Sequence, residues 1–189
     1  MTGWKMKMGK KWPIANEVPD FNSLKKSYKE LKAVFFDMDG TIFDTEVHHA
    51  LALSEILKLL KLTPLSSHEC QSRFYGLTDA QVYDELKREM DIKINAEDFI
   101  SLKTEAVFKH LGSSKLLNNK LEALLNEIKN QNYPIVLVTS SEKKITMKIL
   151  EQEKMLSIFK AVFTREDTED NKPHPAPYLE AMKLCGVKP

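Results

Sequence analysis

The sequence predicts an α/β protein: an open parallel sheet interrupted early by an inserted bundle of helices. Three observations predict it. Short apolar runs at 33–36, 134–138 and 161–163 alternate with stretches of helical periodicity, the pattern of a parallel sheet with crossover helices. Residues 46–112 carry helical patterns and no convincing strand. Carboxylates, hydroxyls and a lysine stand at or just after the ends of the runs, where open parallel sheets bind ligands.

Taken in order, residues 1–20 read as a basic, flexible N-terminal arm. Lys5, Lys7, Lys10 and Lys11 occur with Trp4 and Trp12 before the first acid, Glu17. The arm lacks the apolar stretch and small-residue cleavage site of a signal peptide. Residues 20–31 have a short helical pattern through Phe21, Leu24, Tyr28 and Leu31. The first strand, 33–36, stops at Asp37 and Asp39, followed by Gly40 and Thr41. On a strand, residues i and i+2 share a side, so both carboxylates can face one ligand. Asp39-Gly40 alone is also a hairpin-turn signal, and Asp-x-Asp could open a calcium loop, although no closing Glu follows at the required position.

The insertion, residues 46–115, begins with a helix over 46–62 whose stripe is Val47, Ala50, Leu53, Leu57 and Leu60. His48 and His49 lie near its start and project about 100° apart; they read as surface or packing histidines rather than metal ligands. Thr78 to Gln81 has the capping-box form and leads into Val82, Leu86 and Met90. Asn95 caps a further helix carrying Phe99, Leu102, Ala106 and Val107, which ends near Gly112.

The sheet resumes beyond residue 116. A helix over 120–130 precedes the continuous apolar run 134–138, as expected of a strand buried on both faces. Thr139, Ser140 and Ser141 end that strand, and a helix follows over 142–153. After the third strand, 161–163, come an acidic loop over 165–170, the segment Asn171-Lys172-Pro173-His174-Pro175, and a last helix to Gly186.

Bulk composition narrows the partners. With 189 residues, 42% hydrophobic, 29% charged and a net charge of +1, no electrostatic argument points to nucleic acid. Cys70 and Cys185 form neither a disulfide framework nor a metal-type spacing, which makes a reducing cytoplasm the expected compartment. No apolar run approaches the roughly 20 residues that span a bilayer.

Two carboxylates at a strand end suit phosphoryl transfer through an aspartyl phosphate, one acid attacking phosphorus and the other moving protons. A hard cation such as Mg²⁺ answers the charge repulsion. Lys172 adds positive charge, and Thr139 with the following helix N-terminus can bind phosphate oxygens.

The motifs DMDGT, VTSS and NKPHPAPY, each after a strand and in this order, resemble the first three motifs of the haloacid dehalogenase superfamily. The helical insertion resembles the cap of its β-phosphoglucomutase-like and phosphoglycolate phosphatase-like branch. The resemblance implies a Rossmann-like core over 21–45 and 116–189, with the cap over 46–115 closing on a small phosphorylated substrate. It implies Asp37 as nucleophile and Mg²⁺ ligand, and Asp39 as general acid/base, also giving its backbone carbonyl to the metal. Thr139 and Ser140 would bind phosphate, with Lys172 stabilising nucleophile and phosphate together. An acid at Asp39 favours phosphate chemistry over dehalogenation. Gly76-Leu77-Thr78-Asp79 falls where that branch has a substrate-facing loop, and Asp79 stands where mutases tend to have a basic residue.

The family's fourth motif, an acidic pair completing the metal site after a further strand, is not found before Pro189. Asp44 and Glu46 lie too far past the turn to replace it. The expectation is therefore a core cut short at its C-terminal side, with an open sheet edge through which copies could pair. Three functions fit this reading: a Mg²⁺-dependent phosphatase of small phosphomonoesters, an inactive relative binding a phosphorylated ligand or partner, and a phosphomutase.

Overall fold

A computed structural model describes residues 18–74, 76–112 and 115–188. Most of the N-terminal arm expected over residues 1–20 lies outside the described residues. In chain order the elements are α1 (Phe21–Ser27), β1 (Val34–Phe36), α2 (Glu46–Leu59), α3 (Ser67–Phe74), α4 (Asp79–Glu89) and α5 (Ala96–Leu111). They continue with α6 (Asn119–Asn130), β2 (Ile135–Val138), α7 (Lys143–Gln152), β3 (Ala161–Phe163) and α8 (Ala176–Cys185).

The strands form a parallel sheet in the order β1-β2-β3, with Val34 opposite Ile135 and Val138 opposite Phe163. All four residues of β2 are buried, as its uninterrupted apolar sequence requires of a central parallel strand. Alternation divides them between two faces. Ile135 and Leu137 join the large core with Leu125 and Ile128 of α6, whereas Val136 and Val138 pack with Ala181 of α8. Burying aliphatic side chains of this size stabilises by roughly 1.5–3 kcal/mol each. The three strand ends are thereby brought side by side.

Helices α2 to α5 form the insertion. α2 packs on α3 and α5, and α4 packs on α5. Ile56, Leu57, Leu86 and Phe99 are its buried centre, and the Tyr83 ring meets Phe99 at 5.4 Å between centroids. The expected capping box is present: Gln81 N–H donates to Thr78 Oγ1, and Gln81 Oε1 accepts from Thr78 N–H.

Helix α3 was not expected from the sequence. It buries only Cys70 and Phe74, too few positions to show a period. Its signal was the cap: Glu69 N–H donates to Ser66 Oγ at 3.2 Å and Ser66 N–H to Glu69 Oε2 at 2.8 Å, a Ser-x-x-Glu box. The two strands of chain joining insertion to sheet meet at the Phe43–Leu117 bridge, reinforced by Asp44 N–H donating to Leu116 O at 3.1 Å. No helix among the described residues is long and apolar enough to cross a membrane.

Candidate active site

The loop after β1 turns on Gly40, whose φ of +62° favours a residue without Cβ. The Met38 carbonyl accepts from the N–H groups of Ile42 and Phe43 at 2.9 and 3.1 Å, and Gly40 N–H donates to Phe43 O at 2.9 Å. Met38 is fully buried, while Asp37 and Asp39 on either side of it both line one cavity of about 620 Å³. The i, i+2 alternation expected at this strand end is realised. The hairpin and calcium-loop alternatives fail, because β1 pairs in parallel with β2 and α2 starts at Glu46.

Lys172 comes from the loop between β3 and α8. Its Nζ lies 2.5 Å from Asp37 Oδ1 and donates to the Val138 carbonyl at 3.2 Å. The Asp37 carboxylate is 41% exposed and open to the cavity.

Asp39 is more enclosed, at 18% side-chain exposure. It accepts hydrogen bonds from the hydroxyls of Thr45 (2.5 Å), Thr139 (3.4 Å) and Ser141, with His49 Nε2 at 3.6 Å. Burial pushes its pKa up, but His49 and the Ser141 and Thr45 hydroxyls outweigh burial and hold it at about 2. Asp39 is therefore a carboxylate at neutral pH.

Thr139 is buried at the end of β2, and its Oγ1 also accepts from Ser141 N–H at 3.0 Å. Ser140 lines the same cavity. The structure thus brings Asp37, Asp39, Thr139, Ser140 and Lys172 together from three strand ends, as their order in the sequence predicted.

The insertion supplies the opposite wall, and sequence reasoning missed most of it. His49, read as a surface or packing histidine, lines the cavity. Glu46, set aside as too far past the turn, lines it as well, whereas Asp44 is exposed. Burial, followed by the charge of Asp39, raises the Glu46 pKa. Lys103 of α5 is buried and donates a short hydrogen bond to Asp79 of α4, and its Nζ is 3.4 Å from His49 Nδ1. An ammonium can only donate, so Nδ1 is the acceptor and a neutral His49 carries its hydrogen on Nε2, toward Asp39. Wall and floor also meet at Glu142, which accepts from Thr104 Oγ1 of α5 at 3.1 Å and from Arg165 at 3.3 Å.

The described residues hold no group of three or more His, Cys, Asp or Glu arranged for a metal. Magnesium commonly takes only one or two carboxylates, with water and substrate oxygens completing its shell. The half-exposed Asp37 carboxylate fits that sparse set. The Asp39 side-chain oxygens are occupied by hydroxyls, which leaves its backbone carbonyl as the donor consistent with the sequence reading.

A family profile described as haloacid dehalogenase-like hydrolase matches residues 34–189. The chain belongs to the haloacid dehalogenase-like hydrolases. YhcW of Bacillus subtilis (strain 168), whose name includes the word phosphatase, is 33% identical over 161 residues, 84% of this chain and 71% of that protein. Pyrophosphatase PpaX of Bacillus cereus (strain AH820) is 26% identical over 85% of this chain and 71% of its own. Among solved structures, a haloacid dehalogenase-type hydrolase of family IA from Entamoeba histolytica superposes with a TM-score of 0.71 at 26% identity, covering 82% of this chain and 71% of that one. The hydrolase resemblance and Rossmann-like α/β fold read from three motifs are borne out. The sequence signals for the missed wall residues were weak, because His49 and Lys103 belong to no common motif and meet only when α2 and α5 pack; Asp79 lines the cavity from the loop expected to face substrate.

Proposed function

We propose that this hydrolase is a phosphatase that cleaves small phosphomonoesters through a phosphate carried transiently on Asp37. The observation that carries this reading is the pairing of Asp37 with Lys172 at 2.5 Å, beside a second carboxylate, Asp39, with hydroxyl donors on its oxygens.

In the first step the Asp37 carboxylate attacks phosphorus and the bond to the leaving oxygen breaks. Asp39 gives that oxygen a proton. In the second step Asp39 takes a proton from water, whose oxygen attacks phosphorus and releases Asp37. With a pKa of about 2, Asp39 begins as a carboxylate. The negative charge of an arriving phosphate raises its affinity for a proton; Asp39 takes one from solvent as the ester binds, passes it to the leaving oxygen, and returns to solvent the proton it gains from water in the second step. Lys172 balances charge on Asp37 and phosphate, and Thr139 with Ser140 holds phosphate oxygens. Bound through Asp37 and the Asp39 carbonyl, Mg²⁺ would offset repulsion between carboxylate and phosphate. Residues 46–115 act as the cap that screens the reaction from water.

Phosphate release from a panel of phosphomonoesters, with and without Mg²⁺, tests the proposal. We expect metal-dependent turnover that falls on the order of 10³-fold or more in Asp37→Asn. Well-folded protein without turnover, or an unaffected Asp37→Asn variant, would overturn it.

A further inference from the structure

The cavity's charges restrict what can leave with the phosphate. Five carboxylates line it, Asp37, Asp39, Glu46, Asp79 and Glu142, against three permanent cations, Lys103, Arg165 and Lys172. Each of those cations already faces a carboxylate. Lys172 is on Asp37 at 2.5 Å, Arg165 is on Glu142 at 3.3 Å, and Lys103 is held by Asp79. The last pair is the most enclosed, with side-chain exposures of 6% for Lys103 and 14% for Asp79.

Asp79 also occupies the first turn of α4, the place where a helix N-terminus would otherwise favour a ligand's negative charge. Its pKa is lowered, burial being opposed by the charges of Lys103 and His49, so it remains anionic. The apolar part of the lining is Ala50, Leu53, Phe74, Leu77, Val82 and Ile145, with the uncharged polar side chains of Gln71, Thr78 and Tyr178 among them.

We infer that the cavity accepts a phosphomonoester whose leaving group is uncharged and largely apolar, and discriminates against one carrying a second anionic group; placing the phosphate at Asp37 and Lys172 rests on the phosphatase reading above. A second anion on the leaving side would face Glu46 and Asp79. It could gain a cation only by drawing Lys103 away, which would strand a buried carboxylate. An alkyl or aryl group instead covers Leu53, Phe74, Val82 and Ile145 and gains from leaving water. A terminal diphosphate is disfavoured on the same ground.

Calorimetric titration of the full chain with non-hydrolysable phosphonates, in magnesium buffer, tests this without requiring turnover. Benzylphosphonate should bind at least about tenfold more tightly than 3-phosphonopropionate or methylenediphosphonate. Asp79→Asn, which frees the Lys103 ammonium, should raise the affinity for 3-phosphonopropionate several-fold. Equal or reversed affinities in the wild-type protein, or no binding of benzylphosphonate, would overturn the inference. If Asp79→Asn fails to fold, the wild-type comparison still decides. Turnover of simple esters with a reversed binding order would break this inference alone. The expected binding order without turnover would break the phosphatase reading and leave the pocket's preference standing.

Discussion

The floor of the cavity, formed by Asp37, Asp39, Thr139 and Lys172, and its wall, formed by Glu46, His49, Asp79 and Lys103, hold similar residue types in different ways. Floor residues stand at or near the ends of strands whose register is set by backbone pairing and by a central strand buried on both faces. Their carboxylates remain reachable, Asp37 at 41% and Asp39 at 18% exposure. Wall residues are held by side chain on side chain across three helices, with Lys103 and Asp79 nearly sealed. The floor leaves its carboxylates open to the cavity, whereas the wall seals Asp79 against Lys103. Substitutions should therefore separate into those that remove turnover and those that remove stability.

The largest expected separation is at Asp39. Asp39→Asn should lower kcat on the order of 10³-fold, about 4 kcal/mol of transition-state stabilisation, while the folded protein persists. Steady-state phosphate release paired with circular dichroism checks it. An equal loss in structure would erase the distinction between floor and wall.

Next in size is the wall's own ion pair. Lys103→Met leaves Asp79 buried without its cation and should destabilise by about 3 kcal/mol. The double variant Lys103→Met/Asp79→Asn should recover much of that loss, read as a return of the urea midpoint. Failure of the double variant to recover would mean that the pair is not what holds the wall.

A smaller effect follows from acid. The Asp39 pKa falls from 3.8 to about 2 on folding, so its contribution is fully present above pH 3.8 and disappears as pH drops through about 2. The shift corresponds to about 2 kcal/mol. Urea unfolding at pH 6, 4 and 2 should show the wild-type protein losing this increment and Asp39→Asn lacking it.

Smallest is the cap of α4. Thr78→Ala removes the hydroxyl that accepts from Gln81 N–H and should cost about 1 kcal/mol. That would lower the thermal midpoint slightly without altering the floor.

The same contrast explains what could be read in advance. The three strands, the floor residues and six of the helical segments after β1 followed from period and from polar residues at strand ends. These signals lie within a few residues of one another. Helix α3 escaped because it buries only two side chains. His49 escaped because its neighbour Lys103 lies 54 positions further along, and no local pattern reports such a meeting. Ser141 was passed over as a strand-end hydroxyl beside Thr139, yet it is the one that donates a short bond to Asp39.

The link between Lys172 and Asp37 closes across 135 positions of chain. A loop of that length forms late, because its closure entropy is recovered only once the intervening strands have docked. Asp37, the proposed nucleophile, consequently meets Lys172 only after β2 and β3 have joined the sheet. Phosphate release during refolding should therefore lag behind the recovery of helical signal, making catalysis a late clock for this fold.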